Sequence, residues 1–173
     1  MRFDLFQTMS PKEAEELLAD FLRSGREMLR ESRIDLATIR LDELAKELAF
    51  LASQTQFIGK SPDHSLPRFL LDNPVYRDGL FEIAPESRRL VIFAAFLMGE
   101  WLVLTYRALR WTTGDMSFAT GAMPVVAGFQ FKKEMPTLLI AENIFRKLKH
   151  QPLSSELFHK SLQRWVDNIC LLT

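Results

Sequence analysis

The sequence predicts an all-α fold: a single-domain helical bundle of about five main helices around a central apolar helix at 85–113. Three observations lead there. The stretch Leu90 to Tyr106 is apolar on every face and carries one ionisable side chain, Glu100, so as a helix it must be buried. The segments around it repeat apolar residues every three or four positions, which gives each a single face to bury. The helix-start signals are strong, beginning with Ser10-Pro11.

The first helix is expected over Pro11 to Arg30. Ser10 and Glu13 form a Ser-x-x-Glu capping box, and Pro11 suits the first turn. Ala14, Leu17, Leu18, Phe21, Gly25 and Met28 share one face. Glu13, Glu15 and Glu16 at the start and Arg23, Arg26 and Arg30 later match the helix dipole. A second helix is expected from Asp35 to Ser53, with Leu41, Leu44, Ala45, Leu48 and Leu51 inward, paired with the first as an antiparallel hairpin.

Residues 54–66 read as a connector, since Ile58-Gly59-Lys60-Ser61-Pro62-Asp63 is rich in turn formers. Asn73-Pro74 suits a helix start. Ala84-Pro85-Glu86 then launches the central helix, which runs to Thr113 with Gly114 as its C-cap, roughly 43 Å at 1.5 Å per residue. Residues 117–132 are interrupted by Gly121, Pro124 and Gly128 and read either as a minor β-hairpin or as an apolar loop packed on the bundle. Two more helices follow, Pro136 to Lys149 and Ser155 to Leu172, with Leu138, Ala141, Phe145, Phe158, Leu162 and Trp165 on inner faces.

The central run must be weighed against a bilayer. Its 17 residues fall short of the ~20 a spanning helix needs. Its nine Leu, Ile, Val and Phe residues contribute roughly −3 to −5 kcal/mol to insertion, while a central carboxylate costs about +2.5 to +3.5 kcal/mol. Arg88 and Arg89 before the run and Arg107 and Arg110 after it set no orientation. The remaining helices are amphipathic and need a common core, so the run is read as core. Glu100 then needs explaining, because Phe96, Leu97, Val103 and Leu104 are its helical neighbours and none can pair with it.

Composition narrows the function classes. The chain has 173 residues, 22 basic and 22 acidic, so it lacks the basic excess of a dedicated nucleic-acid binder. Its single cysteine, Cys170, cannot form an intramolecular disulfide, which fits a reducing compartment. The N-terminus lacks the pattern of a secretory signal, so a cytoplasmic protein is expected.

Motifs for chemistry are weak. His64, His150 and His159 show no metal-ligand spacing, and Glu156-x-x-His159 occurs once where a di-iron bundle needs repeats. Asp63-His64-Ser65 is contiguous, whereas triad partners meet from distant elements. No phosphate-binding glycine motif is present. Leu41 to Leu48 resembles the first helix of a helix-turn-helix, but the turn glycine and a recognition helix are missing.

The expected function is therefore non-enzymatic: a helical protein acting through a protein partner or self-association, as adaptor, regulator or neutralising partner of a toxin or effector, with no cofactor and no metal. Its expected interaction surface is the apolar segment holding Met116, Phe118, Val125, Phe129 and Phe131. The alternative is a small-molecule-binding protein or enzyme with an intrabundle pocket, in which Glu100 is the buried carboxylate and Trp101, Tyr106 and Arg107 orient the ligand.

Overall fold

The computed structural model describes residues 8–59, 81–115, 121–148 and 154–169. Among these are five α-helices and five short strands: α1 (Pro11–Glu31), α2 (Leu41–Ser53), β1 (Phe57–Gly59), β2 (Phe81–Ile83), α3 (Arg88–Thr105), β3 (Arg110–Thr113), β4 (Pro124–Ala127), β5 (Glu134–Met135), α4 (Thr137–Leu148) and α5 (Glu156–Val166). The strands form two small antiparallel sheets, β1-β2 and β3-β4-β5. The fold is mixed α/β, and the expectation of an all-α bundle is corrected.

The correction turns on where the central helix stops. After a 3-10 turn at Pro85–Ser87, α3 ends at Thr105, and Tyr106 is already extended (φ −124°, ψ 107°). Residues 110–113 are not helix. Trp111, Thr112 and Thr113 favour a pleated surface, and they pair in register with Val126, Val125 and Pro124. The hairpin placed at 117–132 thus has its first strand upstream of that range, and a third strand joins it through Val126↔Met135 and Ala127↔Glu134. Gly128 lets the chain pass close to the 107–109 turn. Its φ of +110° suits glycine, and a Cβ there would collide with the Ala108 carbonyl oxygen.

The second helix also starts later than expected. The Asp35 carboxylate accepts from the Ala37 N–H (3.0 Å) and the Thr38 hydroxyl (2.9 Å), which commits residues 35–38 to a turn. The Glu43 carboxylate then accepts the Arg40 N–H at 3.0 Å, and α2 begins at Leu41. At α1 the expected capping box is present. Glu13 accepts the Ser10 N–H at 2.7 Å and donates its own N–H to the Ser10 hydroxyl at 3.3 Å. The Ser10 amide, then its hydroxyl, hold the Glu13 carboxyl below its ordinary pKa.

The core wraps α3, where Phe93 to Gly99, Trp101 and Leu102 are buried. α4 packs along α3, and α1 and α2 each pack on α3 rather than pairing as a hairpin, which corrects that expectation. α5 closes the far side of α2. The N-terminal half of α1 rests on the larger sheet, where Ala14 meets Ala122, Met123 and Val125. Among the described residues no helix is long and apolar enough to cross a membrane.

Candidate functional site

Of Glu100, the expected carboxylate, and Trp101, Tyr106 and Arg107, expected to orient a ligand, the structure brings Trp101 and Tyr106 into ring contact, while Glu100 bonds elsewhere. Glu100 is half-buried and accepts a hydrogen bond from the Trp111 indole N–H at 2.8 Å. Trp101 is buried, donates its indole N–H to the Ile39 carbonyl at 3.2 Å and meets the Tyr106 ring edge-on. Burial, and then the Asp167 carboxylate, push the Tyr106 phenol above its ordinary pKa. Arg107 lies exposed in the turn after α3. Successive helical residues point about 100° apart, so Glu100 and Trp101 address different neighbours.

Glu100 is thus accounted for by structure: it pins β3 to α3 through Trp111. Because an amide oxygen also accepts an indole N–H, Glu100→Gln is expected to change stability by no more than about 1 kcal/mol in denaturant unfolding. A loss several times larger means that the charge itself holds the sheet.

The expected interaction segment separates into two groups. Val125 (0% exposed) and Phe129 (5%) belong to the core, because β4 turns inward under α1 and Phe129 packs on Trp165 at 4.9 Å. They are not available to a partner. Phe131 is 84% exposed. Met116 and Phe118 lie outside the described residues, as do Asp63-His64-Ser65 and the Asn73-Pro74 helix start.

Phe131 stands out for its backbone. It sits in a 3-10 turn in the left-handed region (φ 58°), followed by Lys132 at φ 53°. Left-handed non-glycine residues cost on the order of 1–3 kcal/mol each and persist where the surroundings hold them. Here the holding bonds are visible. The Gln130 N–H donates to the Asn168 carbonyl (2.9 Å), and Lys133 donates through Nζ to Asn168 Oδ1 (2.9 Å). The turn is a rigid tip that presents one aromatic ring beside two lysines.

A second feature, not anticipated from sequence, is an open groove of about 500 Å³ along α1. Leu17, Phe21 and Met28 from α1, Ile92 from α3, and Pro124 and Leu138 form its apolar floor. Its rim carries Asp20, Glu27 and Glu31 from α1, with Arg89 opposite. Asp20 is engaged by Arg23, whereas Glu27 and Glu31 have no ion-pair partner among the described residues. The one available signal was the width of the apolar face of α1. Phe21 and Gly25 fill the core, and Leu17 and Met28 on the same face are left half-buried.

Two other grooves fit a binding role less well. One beside α2, about 560 Å³, interleaves Ile34, Ile39, Phe50 and Leu51 with charged side chains of both signs, among them Arg33, Asp35, Glu43 and Glu47, and so lacks the one-sided charge of the α1 groove's rim. The other, about 300 Å³, contains the Glu156-x-x-His159 pair. There His159 Nε2 sits 3.0 Å from Asp42 of α2, and Glu156 pairs with Lys160 at 2.6 Å, so the two side chains serve separate contacts. None of the three grooves includes Glu100, Trp101, Tyr106 or Arg107 in its lining.

An ion pair between a buried carboxylate and a half-buried guanidinium also went unread, although its four-residue spacing was a usable signal. Glu142 is 3% exposed and takes two hydrogen bonds on Oε1 from Arg146, at 2.8 and 3.2 Å. The third guanidinium nitrogen donates to the Phe81 carbonyl at 2.8 Å, which ties α4 to β2. The pair is a structural staple.

No protein-family model, curated protein or solved structure matches the chain.

Proposed function

We propose that the protein is a non-enzymatic binding module that engages another polypeptide through the groove between α1, α3 and the Pro124 end of β4. The observation that carries this is the groove's open apolar floor, Leu17, Phe21, Met28, Ile92 and Leu138, under a rim where carboxylates outnumber the single arginine. Apolar floors rimmed by charge favour protein contacts over small polar substrates. The complementary ligand is a segment with an apolar or aromatic anchor and basic residues beside it. The balanced net charge speaks against nucleic acid as the partner, and the single cysteine favours a reducing, cytoplasmic setting. Adaptor, regulator and neutralising partner of an effector are all roles of this kind.

The test is a comparison of variants in a quantitative capture assay with a tagged copy of the protein. Glu27 and Glu31 are exposed, so Glu27→Lys/Glu31→Lys leaves the fold intact. That variant, and Met28→Asp on the floor, are expected to weaken partner binding at least about tenfold, the effect of one lost anchor contact. Glu100→Gln is expected to bind like the wild type. Equal capture by all of them removes the groove from the function.

A further inference from the structure

Resting on that reading of the groove, we propose that its occupant is the Phe131 tip of a second copy of this chain, so that the protein self-associates tip to groove. The groove and the tip are complementary features of one surface. The groove offers an apolar floor with Glu27 and Glu31 on its rim, both without an ion-pair partner among the described residues. The tip offers an aromatic ring that is 84% exposed, with Lys132 exposed beside it and Lys133 Nζ 5.8 Å from the ring centroid. An aromatic anchor flanked by cations is the ligand chemistry the groove selects.

The tip is also preorganised. Phe131 and Lys132 hold left-handed conformations although the Phe131 ring stays out of the core, with Lys133 Nζ over it. The bonds from Gln130 and Lys133 to the end of α5 keep the tip in that shape before any partner arrives. A rigid anchor loses little entropy on binding.

The two features sit at opposite ends of the larger sheet. Pro124, at the start of β4, lines the groove, whereas the tip follows Ala127, at the strand's other end. A tip in its neighbour's groove leaves the neighbour's own tip free for a third copy. Such contacts build rings or open chains where each tip seats in a further copy, and a closed two-fold dimer where two copies seat their tips reciprocally.

Sedimentation velocity on the full chain, over a concentration series at low salt, tests this. The wild type is expected to grow in mass with concentration and to shrink again as salt screens the rim. Phe131→Ser (tip lost, groove intact) and Glu27→Lys/Glu31→Lys (groove lost, tip intact) are each expected to associate at least tenfold more weakly, with unchanged circular dichroism. Mixed together, these two variants are expected to form a one-to-one heterodimer and nothing larger. Lys132→Glu placed in the Glu27→Lys/Glu31→Lys background should restore part of the association.

A wild type that stays monomeric, a Phe131→Ser variant that associates normally, or a mixture that fails to pair overturns the second-copy occupant. The groove reading fails separately, when Glu27→Lys/Glu31→Lys leaves capture of a foreign partner unchanged.

Discussion

Gly99→Ala is expected to destabilise the protein by about 2–3 kcal/mol, although alanine is the better helix former. Gly99 lies in the middle of α3, where a helix interior normally disfavours glycine by roughly 0.5–1 kcal/mol. Its value is space. A Cβ there would collide with Cζ2 and Cη2 of Trp111 and lie 3.0 Å from Val126 Cγ2, so β3 and β4 would both have to move off the helix. Trp111 has little room to yield. Its ring lies parallel to Phe96 (5°, centroids 6.5 Å apart) and meets Phe21 edge-on at 5.3 Å, while its N–H is fixed on Glu100. The overpacking cost exceeds the propensity gain. For a chain of this size the melting temperature should fall by about 5–10 °C. Adding Trp111→Leu should recover part of the loss, since the two sites share one contact. An additive double mutant contradicts the assignment.

Arg146→Ala is expected to cost about 3–5 kcal/mol, because it strips a buried carboxylate of its guanidinium. Glu142 is 3% exposed and Arg146 also holds the Phe81 carbonyl, so the change should loosen β2 as well as α4. Arg146→Lys keeps the charge but loses the planar fork that spans two acceptors, and should recover only part of the stability. The double variant Glu142→Gln/Arg146→Met should lie much nearer the wild type, since it removes the buried charge along with its partner. Denaturant unfolding orders the three. A double variant as unstable as Arg146→Ala would falsify the electrostatic account and leave packing as the cause.

The comparison of sequence with structure divides along physical lines. Local signals were sound where the chain satisfies itself locally: the Ser10–Glu13 capping box and the apolar run of α3 are where the pattern puts them. The errors lie where a distant segment decides. Gly114 looks like a helix C-cap, yet α3 stops at Thr105 because Arg110 to Thr113 find strand partners in Pro124 to Ala127. Glu100 had no partner within a helical turn, because its partner is Trp111. On one continuous helix those residues would lie roughly 16 Å apart, and only a chain reversal brings them together. Val125 and Phe129 show the converse limit: an apolar residue in an irregular segment reads as sticky whether it faces water or α1 and α5. Phe131, two residues from Phe129, is distinguished by its left-handed backbone, which composition does not reveal.

The central claim is that the groove on α1 meets another polypeptide, and Ser24 gives direct access to it. Ser24 is exposed and lines the groove. A photo-activated cross-linking residue at that position, irradiated in intact cells, reports what lies over the floor. A matching probe at Glu86, exposed and outside the groove's lining, is the control. The account expects a discrete polypeptide adduct from position 24 and none from position 86, with a mass of twice the chain where the occupant is a second copy. No adduct at position 24, or the same adducts from both positions, would contradict it.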